Sequence, residues 1–171
     1  MKMISACIAA SLFAATPAFA APSATDTDFA TKAAQAGIAE ISEGHAAEAK
    51  GQSPAVKAFG KKMVGDHTKA ADELKDVAAK SGVKLPTVAS NDEKQVGEKL
   101  AKLQGADFDK AYAEHAVKDH EDAVALFKNE ASAGSDAGLK TFAQQTLPTL
   151  EDHLRMAKAL PSGAGAMSKT P

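Results

Sequence analysis

The sequence of 171 residues is poor in the residues that build disulfide-rich or sheet-rich proteins. It contains one cysteine, no tryptophan and one tyrosine, and aromatic residues make up only 5% of the chain. Few β-branched residues occur in runs, which disfavours a sheet and favours helices. No apolar run reaches the roughly 18 residues that a membrane-spanning helix needs. The 20 basic and 22 acidic residues are scattered and give a formal charge of -2, so we expect no nucleic-acid partner.

Residues 1–20 have the pattern of a signal peptide. Lys2 supplies a positive charge, residues 4–15 form a short apolar segment, and small residues precede a predicted cleavage site after Ala20. We therefore expect export to the periplasm. Most of the apolar segment follows Cys7 rather than preceding it, which is the wrong order for a lipoprotein anchor. Cleavage would remove this cysteine and exclude disulfides, cysteine nucleophiles and thiolate metal ligands.

Apolar and small residues recur at three- and four-residue steps over four long stretches, which is typical of amphipathic helices. An N-terminal segment over 21–27 precedes a predicted bundle over 28–160 and a disordered tail over 161–171. Residues from Asp26 to Asp28 offer N-cap side chains for the first helix. Pro148 is expected to bend the fourth helix. The predicted helices cover 28–50, 54–80, 106–132 and about 139–160, and a connector over 81–105 contains a short helix.

The links between the predicted helices indicate their topology. The first and last links are short, which favours two antiparallel hairpins. The middle link, of about 25 residues, is long enough to return along the bundle. The prediction is therefore an all-α, ferritin-like four-helix bundle with one long crossover between helices 2 and 3. A plain up-down-up-down bundle is the alternative.

Four polar residues fall on the apolar faces of the predicted helices, one on each helix. They are Glu40, His67, His120 and His153. The first three lie near the middle of their helices, and His153 lies further along a helix whose register depends on the bend at Pro148. Mid-helix positions stay at mid-height in parallel or antiparallel packing, so these side chains are expected to meet. Three imidazoles and one carboxylate suit iron, manganese, copper or zinc. The alternative is a buried polar network that serves only the structure.

The neighbouring sequence argues against a carboxylate di-iron centre. Such a centre needs Glu-x-x-His on two helices, and Val64, Val117 and Leu150 stand three residues before the histidines. The sequence also lacks a phosphate-binding loop, an HExxH motif and a recognisable catalytic triad, so hydrolase and nucleotide-binding functions have no support.

Other polar residues near the predicted site are assigned mainly to the surface. An acid precedes each histidine and is expected to face solvent or, alternatively, to orient a histidine on a neighbouring helix. These acids are Asp66, Asp119 and Asp152. Glu43, Glu73, His45 and His115 are also expected at the surface, and Tyr112 is expected in the core with a hydrogen-bonded hydroxyl.

Several segments resemble a known family. They are Ala-Gly-Ile-Ala-Glu over 36–40, Ser-Pro-Ala-Val-Lys-Ala-Phe over 53–59, Met-Val-Gly-Asp-His-Thr-Lys-Ala over 63–70, and Thr-Leu-Pro-Thr-Leu over 146–150 followed by His153. Together they resemble an exported bacterial family of unknown function whose members are often labelled predicted outer membrane proteins. The resemblance implies a ferritin-like four-helix fold and marks the same four site residues. Members often carry a second Glu soon after the first, where this chain has Ser42 and then Glu43.

Two hypotheses for function follow from these observations. The first is a periplasmic bundle that binds a transition metal through Glu40, His67, His120 and His153. The second is a non-catalytic protein of envelope stress or protein interaction, with the histidines as a buried network. The sequence names neither a reaction nor a protein partner.

Overall fold

The structure is a computed structural model that describes residues 22–161. This part of the chain is all-helical and contains no strand; the predicted signal peptide and the tail beyond Pro161 lie outside it. None of its helices combines the length and the apolar character that crossing a membrane requires. The helices are α1 (Ala24–Lys50), α2 (Pro54–Ser81), α3 (Asn91–Ala101), α4 (Gly105–Ala133) and α5 (Ala137–Lys158).

The first helix begins four residues earlier than predicted because its N-cap is Ser23. The Ser23 hydroxyl accepts a hydrogen bond from the Asp26 amide at 3.1 Å, and the Asp26 carboxylate accepts one from the Ser23 amide at 2.7 Å. This reciprocal pair is a capping box. The prediction that Asp26 to Asp28 would cap the helix was therefore wrong.

The remaining helix ends agree with the predictions to within a few residues. Ser53 caps α2 ahead of Pro54, and Gly82 ends it with a left-handed φ of 73°. The predicted short helix is α3, which starts with a capping box between Ser90 and Glu93. The fifth helix continues through Pro148 without interruption.

The four long helices form a ring of contacts. Helix α1 packs against α2 and α4, and α5 packs against the same two helices. Glycines permit the closest approach, between α1 and α2: a Cβ atom on Gly44 would lie 2.7 Å from the carbonyl oxygen of Gly60. The absence of a Cβ at Gly44 therefore allows the backbones of α1 and α2 to lie this close together.

Side-chain pairs give the directions of the helices. Lys128–Glu151 and Lys158–Glu121, each at 2.8 Å, join α4 to α5 in antiparallel register. On the opposite side of α4, contacts to α1 also run in antiparallel order, from Phe127 with Phe29 to Asp109, which accepts hydrogen bonds from the Gln52 and Ser53 amides just after α1. Because α1 and α2 form a hairpin, α2 and α4 run in the same direction.

The apolar core is divided into two clusters along the bundle axis. One cluster centres on the rings of Phe29, Phe127 and Phe142. The other contains Phe59, Met63, Phe108 and Tyr112. The residues between the clusters form a polar layer, and the candidate site lies in it.

Candidate metal centre

Three buried histidines lie where the two apolar clusters meet. On α2, His67 stands between Met63 of one cluster and Leu74 of the other. His120 on α4 lies between Ala116 of the Phe59 cluster and Val124 of the Phe29 cluster. His153 on α5 lies between Leu150 of the Phe29 cluster and Ala157 of the Phe59 cluster. Helical spacing of three to seven residues puts each histidine on the apolar face of its helix. The imidazoles are only 9%, 1% and 1% exposed, in sequence order.

The three rings form a compact triangle. Their centroids are 5.8 Å apart for His67 and His120, 5.4 Å for His67 and His153, and 5.3 Å for His120 and His153. One ring nitrogen of each histidine lies within 4.8 Å of one ring nitrogen of the other two. Nitrogens bound to one tetrahedral ion at 2.0–2.1 Å are about 3.4 Å apart, so small ring rotations would bring these three to that spacing.

Hydrogen bonds fix the orientation of two of the rings. The Nδ1–H group of His120 donates to the carbonyl oxygen of Ala116 at 2.8 Å. The Nε2–H group of His153 donates to Asp66 Oδ2 on α2 at 2.8 Å, and Lys62 donates to the same oxygen at 2.8 Å. Each bond places the proton on the nitrogen that donates and leaves a lone pair on the other. Asp66 therefore orients a histidine on a neighbouring helix. This was the alternative prediction for the acids that precede the histidines, beside the expectation that they face solvent.

Each ring also has one nitrogen that is buried without a hydrogen-bond partner in the described part of the chain. These nitrogens are His67 Nε2, His120 Nε2 and His153 Nδ1. Burial lowers the pKa of His67 to about 3 and that of His120 to about 4, and the neighbouring histidine charges add to both shifts. Burial also lowers the pKa of His153, against the opposing effect of Asp66. All three rings are therefore neutral at pH 7, and the free nitrogens of His120 and His153 carry lone pairs because the other nitrogen of each ring donates a hydrogen bond.

Glu40 lies beside the histidines but outside their triangle. Its Oε1 atom is 3.4 Å from Nδ1 of His120, which is the nitrogen already bonded to the Ala116 carbonyl. The carboxyl is 4% exposed, and burial together with the adjacent Asp119 raises its pKa well above the usual range. The structure thus brings together the three predicted histidines and places the predicted Glu40 next to them, on the far side of one ring.

A buried carboxyl paired with a half-buried histidine lies next to Glu40 and was not anticipated. Glu43 is 4% exposed, and its Oε2 accepts a hydrogen bond from Nε2 of His115 at 3.0 Å. Burial opposes the charge on His115, but the hydrogen bond and charge of Glu43 outweigh burial and raise the His115 pKa. The surface assignments of Glu43 and His115 were therefore wrong. The available signal was the three-residue step from Glu40, which puts Glu43 on the same side of α1.

The other polar predictions have mixed outcomes. His45 and Glu73 are exposed, as expected, and Asp152 is half-exposed and pairs with Arg155. Tyr112 is in the core and stacks on Phe108. Its hydroxyl, however, has no partner among residues 22–161, so the expected hydrogen bond is absent there.

A further buried acid lies at the end of the bundle where α4 meets the start of α1. Glu130 is 1% exposed, and burial together with the nearby Asp26 raises its pKa to about 7. Asp26 itself accepts hydrogen bonds from the Ser135 amide and hydroxyl. No feature of the sequence marks Glu130 as buried beyond its three-residue step from Phe127.

The chain has little similarity to characterised proteins. No curated protein and no solved structure shows significant similarity to it. A family profile described as Domain of unknown function (DUF4142) matches residues 12–160, which is most of the chain. The chain therefore belongs to this family of unknown function.

Proposed function

We propose that the protein binds one transition-metal ion through His67 Nε2, His120 Nε2 and His153 Nδ1. Two observations carry this proposal: three buried histidines from three helices bring ring nitrogens within 4.8 Å of one another, and each ring has one buried nitrogen without a hydrogen-bond partner. An unsatisfied buried polar group costs about 1–3 kcal/mol. A bound cation would satisfy all three lone pairs at once.

The hydrogen-bond pattern favours a metal over a purely structural network. A buried histidine network would join its rings by N–H···N bonds. Here the three nitrogens have no partner, and the two known protons are held by Ala116 and Asp66 on the outer sides of the rings. Hydrogen bonds to the outer nitrogen are the usual support of metal-bound histidine, because they set its tautomer and raise its basicity.

The ligand set leaves room for chemistry. Three neutral imidazoles suit zinc, copper, iron or manganese, and three protein ligands leave at least one position of a tetrahedral ion open. An ion with an open position can bind water or a small molecule, as in catalytic metal sites. Glu40 would act on the outer side of His120, as a positioning residue rather than a ligand.

The architecture and the leader sequence complete the proposal. The order of the long helices around the ring, with α2 and α4 parallel and neighbouring helices antiparallel, supports a ferritin-like bundle in which the segment with α3 is the crossover. The signal-peptide pattern of residues 1–20 supports an exported, periplasmic protein. The lack of Glu-x-x-His on two helices supports a mononuclear histidine site rather than a carboxylate di-iron centre.

Elemental analysis tests the proposal directly. The protein would be expressed with its own leader and purified without chelator or affinity-tag histidines. We expect about one equivalent of a single transition metal per chain, lost in His153→Ala and retained in His45→Ala, the exposed control. Circular dichroism would show that both variants keep their helices.

The opposite result is equally informative. If the purified protein contains no metal and takes up neither iron, manganese, copper nor zinc on titration, the metal proposal is wrong. The histidines would then form a structural layer, and the function would be sought in the envelope stress or interaction class.

A further inference from the structure

A cavity of about 330 Å³ connects the surface to the histidine layer between α1 and α4. At its outer end are the exposed side chains of Lys32 and Asp122, and at its inner end are His67 and His120. A water molecule occupies about 30 Å³ of liquid, so a cavity of this size has room for a hydrated ion.

Apart from the histidines, the ionisable groups that line the cavity are mostly acidic. They are Glu93, Asp119 and Asp122, together with the buried carboxyl of Glu40 and a single lysine, Lys32. Lys32 pairs with Asp28 at 2.7 Å, and Asp122 pairs with Lys118 at 2.5 Å, so the charges at the outer end are largely balanced. Asp119 lies deeper and has no ion pair with a basic residue in the described chain.

An independent observation connects this acidic lining to a ligand. Two of the unpartnered ring nitrogens belong to histidines that line the inner end, and these rings are 9% and 1% exposed. A cation in the cavity would therefore pass acidic side chains and then reach the rings of His67 and His120, each of which has an unpartnered nitrogen. The same lining would repel an anion.

We propose that this cavity is the route by which a hydrated divalent cation reaches the three-histidine site, with Asp119 attracting it inward. The inference rests on the proposed function, since it requires that the histidines bind a metal. It adds that the incoming species is a free cation rather than an anionic metal complex.

The charge part of the proposal is tested by the rate of Co²⁺ uptake. Apo protein is mixed with excess Co²⁺ in a stopped-flow instrument, and the visible absorption of the bound ion is followed. Asp119→Asn is expected to lower the second-order rate constant about fivefold at low salt, because one charge that attracts a divalent ion is removed. Asp152→Asn is the matched control, since Asp152 also precedes a histidine and is half-buried like Asp119 but lies outside the cavity.

The steric part is tested by a pair of glycine variants. Gly37 lines the cavity, and a Cβ atom there would meet nothing within 4 Å. Gly37→Leu should therefore fold and narrow the cavity, slowing uptake at least fivefold. Gly65 on α2 has the same open surroundings but does not line the cavity, so Gly65→Leu should leave the rate unchanged.

The possible results test the cavity as route, the role of Asp119 and metal binding itself separately. Slow uptake in both cavity variants, normal uptake in both controls and an unchanged final spectrum are the expected results. If Gly37→Leu binds Co²⁺ at the wild-type rate, the cavity is not the route. If only Gly37→Leu is slow, or if Asp119→Asn changes the final spectrum, the role given to Asp119 is wrong. If the wild-type protein gives no Co²⁺ spectrum at all, the metal proposal itself fails.

Discussion

Replacement of His67 by leucine separates binding from stability. His67 is 9% exposed, and its Nε2 atom has no hydrogen-bond partner in the described structure. Leucine is apolar, strongly helix-forming and of similar size, so His67→Leu removes an unsatisfied nitrogen without opening a large hole. We expect the apo variant to be more stable than the wild-type apo protein by about 1–3 kcal/mol at pH 7.5.

The gain should increase in acid. The pKa of His67 is about 3 in the folded protein, because of burial, and about 6.5 in an unfolded chain. Between these values the unfolded state binds more protons, so this histidine lowers wild-type stability as pH falls below 6.5. At pH 5.0 the folded ring is still neutral, and the loss is 1.5 pH units at 1.36 kcal/mol each, or about 2 kcal/mol. The advantage of His67→Leu should grow by this amount between pH 7.5 and pH 5.0.

Urea unfolding in chelator at the two pH values measures these differences, and the same titration with added metal measures binding. Metal at 100 times its dissociation constant should stabilise the wild-type protein by about 2.7 kcal/mol and His67→Leu far less. His45→Leu, at an exposed position, should keep the metal-induced stabilisation. A loss of more than about 2 kcal/mol in apo His67→Leu at both pH values would refute the reasoning, since the ring would then be stabilising the fold.

Three further predictions concern other parts of the molecule. Asp66→Asn weakens the support of the His153 ring, so isothermal titration should show about 10- to 100-fold weaker metal binding with the helices intact. Glu130 has a folded pKa of about 7, raised by burial, so its ionisation lowers the free energy of unfolding as pH rises from 4.5 through 7. Glu130→Gln should remove about 2–3 kcal/mol of this decrease between pH 5 and pH 8, measured by urea unfolding. Gly44→Ala should lower the free energy of unfolding by about 1–3 kcal/mol in thermal melts, because its Cβ would collide with α2, whereas Gly65→Ala, in open space, should raise it by up to about 1 kcal/mol.

Local signals were sufficient to predict most of the helices. Ser53-Pro54 and Gly82 mark the ends of α2 through side-chain capping and a left-handed residue, and both are readable from sequence. The start of α1 was missed because the capping box uses Asp26 where Glu or Gln is usual. Asp26 is also held by Ser135, a contact across more than a hundred residues that no local pattern reveals.

For the candidate site, the sequence likewise predicted which histidines lie together but not the detailed geometry. Helical spacing placed His67, His120 and His153 on apolar faces, and the structure brings these rings together. Spacing cannot give the tautomers, which depend on the Ala116 carbonyl and on Asp66 across the helix interface. Nor can it show on which side of a ring a long side chain such as Glu40 lies.

The division of the core into two clusters explains why the site can be altered without loss of the fold. The phenylalanine-rich cluster near Phe29 and the cluster around Phe59 and Met63 each bury apolar surface across several helices. Since apolar burial supplies most of the stability, the fold does not depend on the layer between them. A core built for stability alone would have apolar side chains at this level, because three unpaired nitrogens oppose folding. The unpaired nitrogens make the fold less stable, and we attribute their presence to metal binding.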